Sequence, residues 1–575
     1  MRIVGLVGLL AMLIACAPAQ APQTERTGGL GAPAASAPRR TLNMSLRTEV
    51  EHLMPKIPGN SNPSLTTRIF NAEIAIIDAK GAPRAYLVEA LPQLDTDDWR
   101  VSPDGRMQVT YRLRPNLTWH DGQPLTSTDF GFAHRVYTLP GLGIFSPTPQ
   151  NLMESVEPLD ARTFVIRWSA PYADAAALID SDFEPLPRHL LERPFSAFEQ
   201  DPSTRDTFIQ LPFWGREYVG TGPYRLLHWE PGSFFDAAAF DAHALGRPKI
   251  DQLHIRLFGD ENTVLTNMLA GTIDYAPFLS MRIEHSLTLK REWDPTGQGT
   301  VYYRQGGPAM ILNQFRPEYA DPAAILDVRV RRAIAHGIDR DALNEGVFSG
   351  VGFPSDNFVP AGLAHYESVQ RAILHYPYDP RRAEALMIEA GFTKDREGLF
   401  ASGTDRLRFE IKASAGTENE RHLQIMAQEW LKIGLEVQAI PVPLAQSRDI
   451  EGRHTFRSMH TRGGLNAGER SWTSDELGTP QNRWRGENRT GWSSPDYDRV
   501  FDTFMNTLDR SAREQQVVQL HRILSEQLPA IHTHFSSQTM AHVSALRGPE
   551  PGLANAGVFS PETAPHWNIH EWEFR

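Results

Sequence analysis

Histidine and arginine are the residue types whose placement in this chain first invites a chemical reading. His120 and Asp121 are adjacent in Leu117-Thr118-Trp119-His120-Asp121-Gly122 and could form an acid–base couple. Gly122 follows at once, and Thr126 with Asp129 makes a capping box for a helix carrying Phe130, Ala133 and Tyr137. The pair therefore reads as turn chemistry. His532 and His534 alternate along an expected strand and, with His542 or His460, could offer nitrogen ligands to a metal. No carboxylate at ligand spacing accompanies them, so they read as strand residues with local hydrogen bonds and no metal ligand is assigned. Arg329, Arg331 and Arg332 lie on an amphipathic helix capped by Asp327, where solvation or pairing to nearby carboxylates accounts for them. There is no Gly-x-Ser-x-Gly elbow and no His-Glu-x-x-His helix. No catalytic residue and no cofactor is assigned.

Bulk composition narrows the class further. The chain has 575 residues, 41% hydrophobic and 22% charged, which is ordinary for a globular protein of several domains or one large two-lobed body. Its formal charge of -12 opposes a broad phosphate-binding surface and argues against nucleic acid as a partner. Cys16 is the only cysteine, so neither a disulfide framework nor a cysteine-rich metal site is available. The core must hold itself.

Cys16 is also an address. Met1 and Arg2 precede an apolar run from Ile3 to Ile14, and Leu13-Ile14-Ala15-Cys16 looks like a bacterial lipobox, in which the cysteine is acylated and the chain is cut before it. Residues 1–15 are then a lipoprotein signal peptide. Residues 16–40, rich in Ala, Pro, Gly, Ser and Thr, make a tether with no apolar periodicity. The expected location is the periplasm or cell envelope, with the body held to the membrane only through the lipid on Cys16.

The body alternates helices and strands. Met107, Val109, Tyr111 and Leu113 mark the inner face of a strand, and Phe164, Ile166 and Trp168 mark another. Ile69 to Ile77 carry enough apolar residues for a helix. Gly220-Thr221-Gly222-Pro223-Tyr224 is a turn feeding a strand that Pro231-Gly232 stops. Gly271 is placed to close the helix of Val264, Leu265, Met268 and Leu269, and Gly306-Gly307-Pro308 loosens the backbone before Ala309 to Leu312. Asp379-Pro380 starts a further helix. Ala530 to Met540 and Trp567 to Phe574 read as strands.

The order of these segments resembles the large solute-binding proteins of ABC importers, the family with dipeptide-, oligopeptide- and nickel-binding members. The matching pieces are LTWHDGQPLTSTD (117–129), VGTGPY (219–224), NMLAGTID (267–274), DVRVRRAIAHGID (327–339), and the segments 378–392 and 490–498. Each is weak alone, and the set in this order is specific. The resemblance implies an α/β, two-lobed periplasmic-binding-protein fold with a central cleft. Lobe one would comprise 41–310 with 528–575, including an inserted subdomain at 69–206, and lobe two would comprise 311–527.

It further implies a monomeric receptor that closes on a small-molecule or peptide ligand and delivers it to ABC permease subunits. Cleft positions expected to contact ligand are Asn60, Ser61, Phe213, Trp214, Asn313, Arg462, Asn466 and Trp472. Peptide-binding relatives place an acid for the ligand's amino terminus in the stretch comparable to Met459 to Gly468. Arg462 stands there instead and suits a carboxylate or phosphate. The solute is thus peptide-like or another organic molecule, anionic ones included. The alternatives are a metal or metallophore receptor and a secreted hydrolase.

Overall fold

The computed structural model describes residues 40–54, 56, 66–143, 148–179, 182–403, 405–443, 445–462, 468–553 and 563–575. Cys16 with its leader and tether, and the positions Asn60, Ser61 and Asn466, lie outside the described residues.

An 11-stranded mixed sheet organises the body. Its strands are β1 Thr41–Leu46, β2 Tyr224–Glu230, β3 Phe234–Ala239, β4 Gln252–Leu257, β5 Tyr275–Ala276, β6 Gly299–Asn313, β7 Phe353–Pro354, β8 Arg408–Ser414, β9 Glu436–Val442, β10 Met459–Arg462 and β11 Ala530–Val543. The spatial order is β9-β8-β10-β6-β11-β5-β1-β4-β3-β2, with β7 paired to β11. Between β1 and β2 the chain leaves this sheet. There it builds a four-stranded antiparallel sheet in the order Trp99–Val101, Met107–Arg112, Thr163–Trp168, Met153–Pro158. Met107, Val109 and Tyr111 are buried along the second of these strands, as period-two alternation requires.

Helix boundaries follow local chemistry. Thr126 and Asp129 form the capping box of Ser127–Thr138. Asp379 accepts from Arg382 N–H at the start of Pro380–Glu389. Gly271 adopts φ 69° just after Glu261–Leu269. Ile69 to Ile77 departs from the expected helix: Thr67–Phe70 is a single turn, and Ala75–Ile77 is a strand paired with Pro83–Ala85. The cause is a neighbour distant in sequence. Gly222 N–H donates to Phe70 O at 2.9 Å and Thr221 Oγ1 accepts from Ala72 N–H at 3.1 Å, drawing the chain out of the helix.

This contact requires glycine. A Cβ on Gly220 would meet Phe70 O at 2.1 Å, and one on Gly222 would meet Phe70 C at 2.4 Å and Asn71 N at 2.5 Å. His120 joins from the other side. Its Nδ1 accepts from Gly220 N–H at 3.2 Å and its Nε2 bonds to Gly222 O at 3.0 Å, which together select the neutral Nε2–H tautomer. Asp121 accepts from Gln123 N–H at 3.0 Å within the turn and pairs with His189 at 2.7 Å.

Among the arginines of Val328–His336, Arg329 pairs with Asp327 at 2.6 Å. Arg331 departs from the expectation of solvation or carboxylate pairing. It is buried, lies 4.3 Å over the Phe315 ring, and donates to the carbonyls of Gln527, Ile325 and Leu326. Arg332 donates to Glu526 O at 3.0 Å. The two guanidinium groups thus satisfy carbonyls at the C-terminal end of Arg510–Gln527, where helix carbonyls lack intrahelical partners. At the chain end, Trp567 to Phe574 is not a continuous strand: a short 3₁₀ turn, Ile569–Glu571, precedes the two-residue strand Glu573–Phe574.

His532 and His534 do not converge. A register shift falls between their partners on β6, Met310 and Ala309. His532 packs against Phe358 and Phe535, with Nδ1 bonded to Ser355 O at 2.9 Å. His534 packs against Phe348 and His422. Among the described residues no group of three or more His, Cys, Asp or Glu could hold a metal ion.

Burial, the largest cause in each case, lowers His120, His365, His422 and His460 to about 4 and His243 and His532 to about 3. In the unfolded chain these groups titrate near 6.5. The unfolded state therefore binds protons first on acidification. The stability held in neutral imidazoles is complete above about pH 6.5 and is lost as pH falls toward about 4. Denaturant midpoints should accordingly drop between pH 7.5 and pH 5; a flat profile across that interval would contradict the assignment. Gly222→Ala should cost on the order of 3 kcal/mol, because backbone on the facing turn must move. Gly259→Ala, where a Cβ meets nothing within 4 Å, should leave the urea midpoint nearly unchanged.

Candidate functional site

Two adjacent strands join the parts of the molecule that have separate cores. One core gathers Leu42, Leu253, Ile255 and Tyr275 of the β1 side with Tyr111, Phe164 and Trp168 of the inserted sheet. The far end of the main sheet has a core on each face. Ile311, Phe409, Ile411 and Met459 enter one; Met310, Leu312, Val517 and Leu520 enter the other. Among the described residues only β6 and β11 run the whole distance. They pair antiparallel from Gly299 with Val543 to Leu312 with Ala530, and the register slips between Gln305 and Pro308. The slip coincides with Gly306-Gly307-Pro308, where proline withholds a ladder N–H and the backbone kinks. The parts of the molecule with separate cores meet at this crossing.

On the β1 side of the crossing, Arg304 lies 4.0 Å over the Phe278 ring and donates to Gln538 Oε1 at 2.8 Å and Pro551 O at 3.1 Å. On the far side, Arg340 donates to the carbonyls of His532 and Tyr376 at 2.9 and 2.8 Å. Burial lowers its pKa to about 10. Both cations are thus already engaged with groups of the crossing.

The lobes also touch away from the crossing. Ala175 and Leu178 belong to the first core, and Asp174 beside them pairs with Arg513 Nη1 at 3.5 Å. Arg513 belongs to helix Arg510–Gln527, whose Val517 and Leu520 lie in the third core. Leu508, just before that helix, packs against the first core. Ile283 makes the reciprocal contact, packing against the core of Ile311 and Phe409.

Next to the first loop, Lys56 is buried and donates to Thr148 O at 3.3 Å. Burial lowers its pKa, opposed by the nearby carboxylates of Glu184 and Asp182. Arg68 and Glu73 form a fully buried ion pair at 2.7 Å. Tyr218 OH donates to Asn71 Oδ1, and Tyr137 OH donates to Glu184 O at 3.2 Å. Breaking one member of such a set leaves an uncompensated buried charge.

The positions expected to contact ligand are used differently. Phe213 lines an open pocket of about 320 Å³ with Leu190, Leu191, Pro194, Asp121 and Glu217. Trp214 is fully buried and donates to Phe208 O at 2.7 Å, so packing consumes its surface. Asn313 is fully buried and donates to Leu528 O at 2.9 Å, fixing the end of β6 to the turn before β11. Trp472 packs in the third core near Phe358. Trp214, Asn313 and Trp472 are framework in this structure, and Arg462 ends the strand that pairs with β6 beside the crossing.

Arg462 ends β10 opposite Met310, two residues beyond Pro308. Its side chain is 5% exposed and donates to Glu487 O at 2.9 Å and to the Glu487 carboxylate. Arg489, which pattern reading missed, sits beside it. The arginine immediately precedes the Thr490–Asp498 segment, and nothing in its own spacing marks it. Its side chain is 17% exposed and its nearest carboxylate oxygen is Glu487 Oε2 at 3.9 Å. Burial, and after it the Arg462 charge, lowers Arg489 to about 10.

The profile of the bacterial extracellular solute-binding proteins, family 5, matches residues 89–493. Heme-binding protein A of Haemophilus influenzae is 24% identical over 466 residues, covering 76% of this chain and 77% of its own. The dipeptide-binding protein of Escherichia coli is 22% identical over 483 residues, 77% of this chain and 80% of its own. Among solved structures, NikA from Brucella suis in complex with Fe(III)-EDTA superposes with a TM-score of 0.72 at 17% identity, covering 93% of this chain and all of that one. The profile covers well over half of the chain and the fold agrees with it, and the chain belongs to the family 5 extracellular solute-binding proteins.

Proposed function

We propose that this protein is an extracytoplasmic receptor, tethered through a lipid on Cys16, that closes on a small organic solute and delivers it to the permease of an ABC importer. The β6–β11 crossing carries this reading. Two strands shared by otherwise separate cores let the lobes rotate as rigid bodies while the connection stays hydrogen-bonded. The Asp174–Arg513 pair and the seat of Leu508 join the two sides, contacts that would favour closure. A solute that touches both lobes adds to those contacts and shifts the population toward closure by its differential affinity. Relatives named for heme and dipeptide binding support the receptor class and leave the solute to be identified from this chain's own residues.

A metal-chelate solute is the second reading, favoured by the structural neighbour that holds Fe(III)-EDTA. In that case the metal arrives as cargo within an organic ligand, which accords with the absence of a three-ligand cluster among the described residues.

Native mass spectrometry of the protein purified without its anchor should detect a retained small molecule of discrete mass. Stripping it by unfolding and refolding should raise the radius of gyration. If nothing is retained, and a mixed tripeptide pool and Fe(III)-citrate both leave the radius of gyration unchanged, the receptor reading fails. Asp174→Asn removes the charge across the cleft with little change of shape. It should weaken solute retention about two- to fivefold, the size expected of a partly exposed ion pair. Cys16→Ser should move the protein from the membrane pellet to the soluble envelope fraction, and persistence in the pellet would remove the lipid anchor from the proposal.

A further inference from the structure

Guanidinium charge is in excess beside the crossing on its far side. Arg462 and Arg489 face one carboxylate, Glu487, whose side chain is 55% exposed. Arg453 adds a third positive charge that opposes ionisation of Arg489. Arg489 has no hydrogen-bond acceptor among the described residues, and Arg462 Nε has none either although it is buried. Desolvated arginines normally satisfy their planar forks with carbonyls or carboxylates. Arg331 and Arg340 in this same molecule do so with carbonyls. The contrast singles out Arg489 as a cation held in place with donors to spare.

We propose that Arg489, with Arg462, forms an oxyanion subsite that takes a carboxylate or phosphate group of the solute, and that Glu487 occupies the Arg462 fork until that group arrives. The subsite rests on the receptor reading above and specifies the chemistry of one end of its solute. Its place follows from register: Arg462 lies opposite Met310, two residues past the kink at which β6 crosses between lobes. Glu487 is the rim member, exposed enough to swing out, and its carboxylate marks the geometry an incoming oxyanion would adopt. In place of Glu487 a solute carboxylate would keep the local charge as it is, and a phosphate, at about -1.5 to -2, would bring the two guanidinium groups closer to balance.

The test uses acetate and inorganic phosphate, each titrated against chloride at constant ionic strength, with thermal unfolding of the protein stripped of solute as the readout. At least one anion should raise the midpoint in the wild type, and which one does so separates a carboxylate from a phosphate site. Arg489→Gln should weaken the apparent affinity about tenfold or more, the loss expected of one charge-assisted interaction. Arg489→Lys, which keeps the charge without the fork, should fall between, and guards against a glutamine variant that folds poorly. Glu487→Gln, by removing the internal competitor, should tighten binding. Arg408→Gln, at a 70% exposed arginine, should respond as the wild type does. A wild type indifferent to both anions, or an Arg489→Gln protein that responds fully, overturns the subsite. Neither result touches the retained-solute and scattering measurements by which the receptor reading stands or falls.

Discussion

The backbone pairing of Gly299–Asn313 with Ala530–Val543 belongs to both lobes at once, and this sharing constrains everything around it. Each side has cores of its own, with Leu508 and Ile283 packing across between them. The crossing must stay hydrogen-bonded, since unpaired backbone groups in a buried strand are costly. Gly306, Gly307 and Pro308 meet that condition by concentrating the irregularity in one place, flanked by regular ladder on both sides. Arg304 and Arg340 tie neighbouring segments to the crossing through carbonyls and an amide oxygen, interactions that do not depend on the distance between the lobes.

Charge is handled in two distinct ways within this frame. Most interior cations are neutralised locally: Arg68 by Glu73, Arg331 by helix-end carbonyls, Lys56 by a carbonyl and the field of two carboxylates. Burial holds His120, His365, His422, His460, His243 and His532 neutral, and at His120 a backbone N–H also occupies Nδ1. The Arg462–Arg489 pair is handled otherwise, with more donors than acceptors, and it stands where the lobes meet. An electrostatically unbalanced group in an otherwise balanced interior is where specificity is expected to reside.

Much of the fold was legible in the sequence because its signals are local. The capping box at Thr126 and Asp129, the period-two strand at Met107, the Asp379-Pro380 start and the Gly271 stop each depend on a few neighbouring residues, and the structure has all four. The failures share a cause in tertiary contact. Ile69 to Ile77 leaves the helix because Gly220 and Gly222 arrive from 150 residues away, and Arg331 is buried by the end of another helix. The strand bulge that separates His532 from His534 likewise depends on a partner strand. At the candidate site, Arg462 could be singled out by an unusual residue type in a recognisable position. Trp214 and Trp472 were chosen as aromatics suited to a pocket, and they pack in the cores. Arg489 carries no local pattern at all. Its interest arises only from what surrounds its side chain.

The order of assembly follows from how the first lobe is closed. β1 is hydrogen-bonded to β5, β5 to β11, and Arg40 reaches the carbonyl of Phe574, so residues from both ends of the sequence complete one core. Ile569 and Trp572 lie in that core beside Leu42 and Met44. Local helices and hairpins in the middle of the chain can form as soon as they are made. The lobe that holds β1 cannot, because β11 and the core residues Ile569 and Trp572 that close it lie far along the chain, and long-range pairings of this kind are slow to find. The half that holds β1 thus becomes native only after strands far along the chain have joined it.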